Sequence, residues 1–293
     1  MAELRLAASR DDAAPEVSGA ASAGPVSIAV RNVSKVFARD GQETVALDGV
    51  DLDIREGEFL AVVGPSGCGK STLMRLIGGL DMPTRGEVTI GGAAITAPVT
   101  DLGIVFQKPV LLEWRTVLEN VMFQIDMRGE KRRDHLDSAR QLLAAVGLAD
   151  FENRYPHELS GGMQQRASIA RALIHEPPLL LMDEPFGALD ALTREQMRLD
   201  LEELWLSTRK TVIFITHSID EAVLLADRVV VMTPRPGRVD RILDIPLERP
   251  RGLEGRKTPE FLAAVDEITE LFLANGTLHA SRPVLNLLNK KEP

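Results

Sequence analysis

The sequence predicts an α/β fold: a mixed central sheet, an antiparallel β layer beside it, and an inserted α-helical subdomain. Three observations predict it. Continuous apolar runs at 59–63, 104–106, 179–182 and 212–216 are of the kind buried on both faces of a parallel sheet. Near the start the pattern alternates instead, with Val50, Leu52 and Ile54 on one face, as in strands with one face buried. Between Gln107 and Pro177 the text turns helical, with no convincing strand.

Taken in order, residues 1–25 are rich in Ala, Ser, Gly and acidic groups without a sustained apolar period, and read as a disordered leader. "SIAVRNV" from Ser27 and the stretch 45–54 begin the antiparallel layer, and "EVTIGGAAI" turns back as a hairpin at Gly91-Gly92. "LDSARQLLAAVGL" and "MQQRASIARALI" are helices of the inserted subdomain, placed at about 108–175 within a domain spanning 26–252. Residues 253–293 form a helical tail. There Thr258 can cap a helix, Pro259 suits its first position, Phe261, Val265, Ile268 and Phe272 share a face, and Asn275-Gly276 supplies the stop. Whether that helix docks on the domain or regulates it stays open at this level.

Composition narrows the function. The 293 residues are 44% hydrophobic and 26% charged, enough for one large core and a satellite. A net charge of -9 argues against a nucleic-acid backbone as partner, since that partner selects basic faces. No apolar run approaches the ~18 residues of a spanning helix, and the start lacks the pattern of a signal peptide. The single cysteine, Cys68, cannot form an internal disulfide. These features place the chain in the cytoplasm, serving any membrane through a partner.

The chemistry begins at "GPSGCGKST", Gly64, Pro65, Ser66, Gly67, Cys68, Gly69, Lys70, Ser71 and Thr72, which fits G-x-x-x-x-G-K-[ST] between an apolar strand and a helix containing Leu73 and Leu76. This is the phosphate loop of a P-loop NTPase. Its glycines let backbone N–H groups wrap phosphates, the helix start adds partial positive charge, Lys70 reaches the terminal phosphates and Ser71 ligates Mg²⁺. Cys68 contributes backbone there, its side chain a bystander. "LLLMDEP" ends a buried strand in adjacent carboxylates, Asp183 and Glu184, which need a cation or a partner. Asp183 would hold Mg²⁺ through water, and Glu184 would take a proton from the attacking water. Two further strands end in Gln107 and His217. Ligands of open α/β sheets bind beyond the carboxyl ends of strands, so Gly64, Gln107, Asp183, Glu184 and His217 should converge on one edge. His217 reads as a γ-phosphate contact, and Gln107 as a Mg²⁺ and water contact that senses the helical subdomain.

A second glycine-rich helix start follows at "LSGGMQQR": Leu159, Ser160, Gly161, Gly162, Met163 and Gln164 open it. Ser160 is a good N-cap, Met163 leaves the capping box unmade, and the glycines leave the backbone bare. That is a second anion site. With one phosphate face left over by the first loop, the economical arrangement sets "LSGGMQQR" of one copy against the ATP of another.

In this order, "GPSGCGKST", Gln107, "LSGGMQQR", "LLLMDEPFGALD" and His217 resemble the nucleotide-binding subunit of an ATP-binding cassette transporter over about residues 27–250. The resemblance implies a head-to-tail homodimer sandwiching two ATP molecules, with Ala188, Leu189 and Asp190 crossing its interface. Phe37 matches the position whose ring stacks on adenine, against a competing reading as a core residue. "VFQKPVLLEWRTVLENV" and "MTPRPGRVDRILDIPLERPR" are similar to the importer group for nitrate, sulfonates and taurine, although Glu113 stands where that group has proline. Such importers imply permease subunits, a solute-binding protein and a place on the cytoplasmic face of the inner membrane. Trp114, Val117 and Val121 are candidates for the permease contact, with subdomain core the other reading of Trp114. Two rivals are a non-transport cassette ATPase acting as a regulatory or DNA-associated module, and a plain P-loop kinase. The first would carry a tandem cassette, a long coiled coil or a basic surface, and the second would lack "LSGGMQQR".

Overall fold

Two sheets and a helical lobe organise the chain, in a computed structural model that describes residues 26–39, 41–187 and 189–278. The first sheet is antiparallel, ordered β2-β1-β4-β5 from β1 (Val26–Arg39), β2 (Gln42–Arg55), β4 (Arg85–Ile90) and β5 (Ala93–Ala94). The second has six strands in the order β10-β9-β3-β8-β7-β6: β3 (Phe59–Val63), β6 (Leu102–Val105), β7 (Leu179–Asp183), β8 (Thr211–Ile215), β9 (Arg228–Met232) and β10 (Val239–Asp244). Neighbours from β9 across to β6 run parallel, while β10 is antiparallel to β9, so the sheet is mixed.

The apolar runs behave as strands buried on both faces. In β3, Phe59, Ala61 and Val63 point into one core, while Leu60 and Val62 point into another. β8 divides the same way, with Val212 and Phe214 on one side and Ile213 and Ile215 on the other. Alternation with period two along a pleated strand makes this split unavoidable. The core on the Leu60 face lies against β1, β2 and α1 (Lys70–Ile77), and that on the Phe59 face against α5 (Gly161–Leu173), α6 (Ala191–Thr208), α7 (Ile219–Leu225) and α8 (Pro259–Ala274).

The tail helix docks. Thr258 Oγ1 accepts the Phe261 amide at 3.2 Å, and Phe261, Ala264, Ile268 and Phe272 enter the Phe59-side core. Burying each large side chain there is worth about 1.5–3 kcal/mol relative to leaving it exposed. The helix ends at Asn275, whose Nδ2 donates to Asp240 Oδ2 at 2.7 Å, and Gly276 follows at φ +67°.

A third core fills the lobe built from α2 (Val117–Val121), α3 (Phe123–Arg128), α4 (Arg132–Ala145) and one face of α5, with Ala167 and Ala170. Val117 and Val121 are fully buried in it. The expectation that they meet a membrane subunit is therefore corrected: their spacing places them on the inward face of α2. Trp114 is the opposite case, 74% exposed, which rules out subdomain core. Its loop is held by the buried Asn120, which accepts the Leu112 amide and donates to the carbonyls of Leu112, Arg115 and Thr116. Among the described residues no helix is long and apolar enough to cross a membrane.

Candidate active site

The site starts where β3 stops. Gly64 follows Val63 directly, and the loop 64–69 delivers the chain to the first residue of α1, Lys70. Two glycines are demanded by space. A Cβ on Gly69 (φ +106°) would fall 2.6 Å from Leu47 Cδ2 and 2.9 Å from the Ala46 carbonyl, and one on Gly64 would fall 2.8 Å from Cys68 Sγ. Lys70 Nζ donates to the carbonyls of Gly64 at 2.8 Å and Pro65 at 3.1 Å. Ser66 and Gly67 are exposed, Thr72 is half-buried, and Arg235 Nε donates to the Gly67 carbonyl at 3.2 Å. Cys68 packs beneath the loop at 1% exposure, and burial pushes its thiol pKa up.

Adjacent strand ends bring the remaining polar groups to this edge. Ser71 Oγ donates to Asp183 Oδ1 at 3.0 Å, joining the helix after β3 to the end of β7. Glu184, the next residue, holds a left-handed φ of +45°, uncommon for a side chain of its size. From there its Oε2 accepts from Gln107 Nε2 at 3.1 Å and lies 3.3 Å from His217 Nδ1. Gln107, Asp183, Glu184 and His217 thus come together from β6, β7 and β8, beside Ser71. Burial raises the Asp183 pKa; the Ser71 hydroxyl opposes the shift and neighbouring Glu184 adds to it.

A half-buried carboxylate pushed upward beside a hydroxyl is a pair that a divalent cation would satisfy. Among the described residues no group of three or more His, Cys, Asp or Glu could hold a metal. A cation here would instead draw on one hydroxyl, one carboxylate, water and phosphate oxygens, the ligand set that suits magnesium. Phe37, on β1, is 43% exposed with Lys35 Nζ 5.0 Å from its ring centre, so it is a surface ring and not a core residue.

The second glycine-rich turn is built differently. Ser160 Oγ caps α5 by accepting the Met163 amide at 3.3 Å. Gln164 Nε2 donates to the Pro156 carbonyl at 2.8 Å, and Leu159 is buried. The two glycines part company. A Cβ on Gly161 would meet nothing within 4 Å, whereas one on Gly162 would fall 2.7 Å from Thr193 Cγ2 and 3.6 Å from Leu189 Cδ2. Among the described residues no hydrogen bond joins 159–164 to 64–72. Leu189 is buried, Asp190 is exposed and caps α6 through the amides of Leu192 and Thr193, and Ala188 lies outside the described residues.

Three polar residues that sequence reasoning missed tie the pieces together. Gln165, 2% exposed, donates from Nε2 to the Phe106 carbonyl at 3.2 Å, so α5 holds the backbone just before Gln107. Arg171 donates to the carbonyls of Pro109 and Val110 at 2.9 and 2.7 Å. Arg166 reaches Met197 Sδ on α6 at 3.0 Å. Their signal in sequence is a polar side chain on the apolar face of a helix.

Fold and strand-end cluster together define a P-loop NTPase. Residues 47–187 match the ABC transporter family. An uncharacterized ABC transporter ATP-binding protein of Methanocaldococcus jannaschii is 50% identical, over 81% of this chain and 88% of its own. The taurine import ATP-binding protein TauB of Jannaschia sp. is 45% identical over 82% and 92% respectively, and the nitrate import ATP-binding protein NrtD of Synechocystis sp. is 43% identical over 85% and 96%. The dimeric structure of MJ0796, a bacterial ABC transporter cassette, matches with a TM-score of 0.68 at 36% identity, over 75% of this chain and 100% of that one. The chain belongs to the ABC transporter family and is an ABC ATPase.

Proposed function

We propose that this chain is the ATP-hydrolysing subunit of an importer for a small solute of the nitrate, sulfonate or taurine class. Two copies meet head to tail and enclose two ATP molecules, each between the phosphate loop of one copy and "LSGGMQQR" of the other. The observation that carries this reading is the contrast at the two glycine-rich turns. The polar groups of the strand-end cluster meet within one chain, while Gly161 opens a capped helix onto free space. The dimeric cassette and the taurine and nitrate relatives support the pairing and the transport role.

Within each site, backbone N–H groups of 64–72 wrap the phosphates and the Lys70 ammonium neutralises them. The exposed ring of Phe37 stacks on adenine. Ser71, Asp183 and Gln107 would hold magnesium, which when bound supplies positive charge to the terminal phosphates. Glu184 takes the proton of the attacking water, oriented by Gln107 and His217 through its Oε2. His217 contacts the γ-phosphate. Ala188, Leu189 and Asp190 lie at the pairing face.

Residues 26–252 form the cassette, its helical subdomain is at about 108–175, and 253–293 is a tail. Permease subunits dock at the cytoplasmic face of the inner membrane, with exposed Trp114 one of the contacts, and a solute-binding protein delivers to them. ATP binding closes the pair and hydrolysis reopens it. The test is to purify the chain with its membrane and solute-binding partners in vesicles and measure ATP hydrolysis with taurine, an alkanesulfonate or nitrate. Stimulation by one of these is expected; a purified assembly that none of them stimulates contradicts the solute class.

A further inference from the structure

One buried acid near the site plays no part in the chemistry described: Glu221, in the first turn of α7, 7% exposed. A carboxylate so placed needs partners. Its Oε2 accepts from Thr216 Oγ1 at 2.5 Å, and its Oε1 lies 3.8 Å from Arg194 Nε, a buried nitrogen without a hydrogen bond among the described residues. Thr216 Oγ1 in turn accepts the Ser218 amide at 3.0 Å, and Ser218 Oγ accepts the Glu221 amide at 3.3 Å. His217 sits between Thr216 and Ser218: Thr216 hangs on the Glu221 carboxylate, and the Ser218 amide hangs on Thr216 in turn. Thr216 is β-branched and 1% exposed, which makes it a stiff link.

At its other end Arg194 reaches the neighbouring turn. Its Nη2 donates to the Leu189 carbonyl at 3.0 Å, and the Leu189 side chain packs over Gly162. Contacts therefore run without a gap from the start of α5, through Leu189, Arg194 and Glu221, to the turn that carries His217. Among the described residues, neither Arg194 nor Glu221 makes a hydrogen bond or ion pair to Glu184 or to 64–72. We propose that Arg194 and Glu221 are positioning residues for His217, setting its backbone turn against Leu189 and so coupling the glycine-rich face of α5 to the reacting end of the site. This rests on the ATPase reading of that site.

The test is single-turnover and steady-state hydrolysis of Mg-ATP by the full chain. Arg194→Met and Glu221→Gln should each lower kcat about tenfold with the KM for ATP held within about twofold. The double variant should lose no more than either single one, because the two act as a unit. In a His217→Ala chain neither should cost anything further, a result that a merely structural role would not produce. Arg194→Lys keeps the charge and should recover part of the loss. Glu221→Gln keeps the side-chain shape and an acceptor for Thr216, so it and Arg194→Lys carry the test should Arg194→Met unfold. Unchanged kcat in the folded single variants, losses that multiply in the double variant, or equal losses in the His217→Ala background would each overturn the proposal. An inactive wild-type chain would overturn the ATPase reading along with it, whereas an active wild type with inert variants overturns the pair alone.

Discussion

The two glycine-rich helix starts of this chain look alike in sequence and differ in what surrounds them. At Gly64 and Gly69 the missing side chains make room for the chain's own atoms, and the polar groups beyond them come from three strand ends. At Gly161 the missing side chain faces nothing within 4 Å, and only Gly162 is pinned, against Thr193. The first start is filled by atoms of its own chain, and the second leaves one of its two glycines facing open space. A glycine can thus serve packing inside the molecule or approach from outside it, and the atoms a Cβ would meet tell the two apart.

The largest effect that could sharpen this contrast lies at the self-contained end. Glu184→Gln is nearly isosteric and keeps an oxygen for Gln107, so ATP binding should persist while turnover falls about 10²–10⁴-fold. Light scattering with Mg-ATP should then show an accumulated dimer; wild-type turnover would remove Glu184 from its role as base. A smaller effect separates the two glycines. Gly162→Ala pushes a methyl group into Thr193 and should lower the stability of the isolated chain by about 1–3 kcal/mol. Gly161→Ala meets open space, should raise that stability by about 0.4–1 kcal/mol, and should nonetheless depress ATP hydrolysis. Thermal melts beside ATPase assays check both, and equal stability changes would erase the distinction. The smallest effect belongs to Trp114→Ala: the isolated chain should stay within about 0.5 kcal/mol of wild type, because the ring is exposed, while solute-stimulated hydrolysis by the whole transporter drops. A marked loss of stability would mean that Trp114 supports the lobe after all.

What could be read from sequence followed from how strongly local chemistry constrains the chain. β3, β7 and β8 were legible because each apolar run stops at a polar motif, and the same stops placed Gly64, Asp183, Glu184 and His217 on one edge. α8 was legible from its cap, its proline and its apolar face. β9 and β10 carry no such mark, since "RVVVM" ends in no motif and "VDRILD" is only half buried. The direction of a helical face was also hidden. Val117 and Val121 show the same spacing whether they pack inside the lobe or await a partner, and only the third core decides it. Gln165, Arg171 and Glu221 show in sequence only as polar side chains on an apolar helix face; the distant carbonyl or hydroxyl that satisfies each leaves no local mark.

The central claim is that each ATP site is shared between two chains, and mixing defects tests it most directly. Lys70→Ala removes the ammonium of the phosphate loop, and Ser160→Arg places bulk and positive charge at the start of α5. In a mixed dimer one site holds both defects, while the other joins the intact loop of the Ser160→Arg copy to the intact α5 start of the Lys70→Ala copy. With the two variants tagged separately and the mixed pair purified in ATP, single-turnover hydrolysis should exceed that of either homodimer. Hydrolysis no higher than in the homodimers, with mixed pairing shown by the tags, would contradict the shared site.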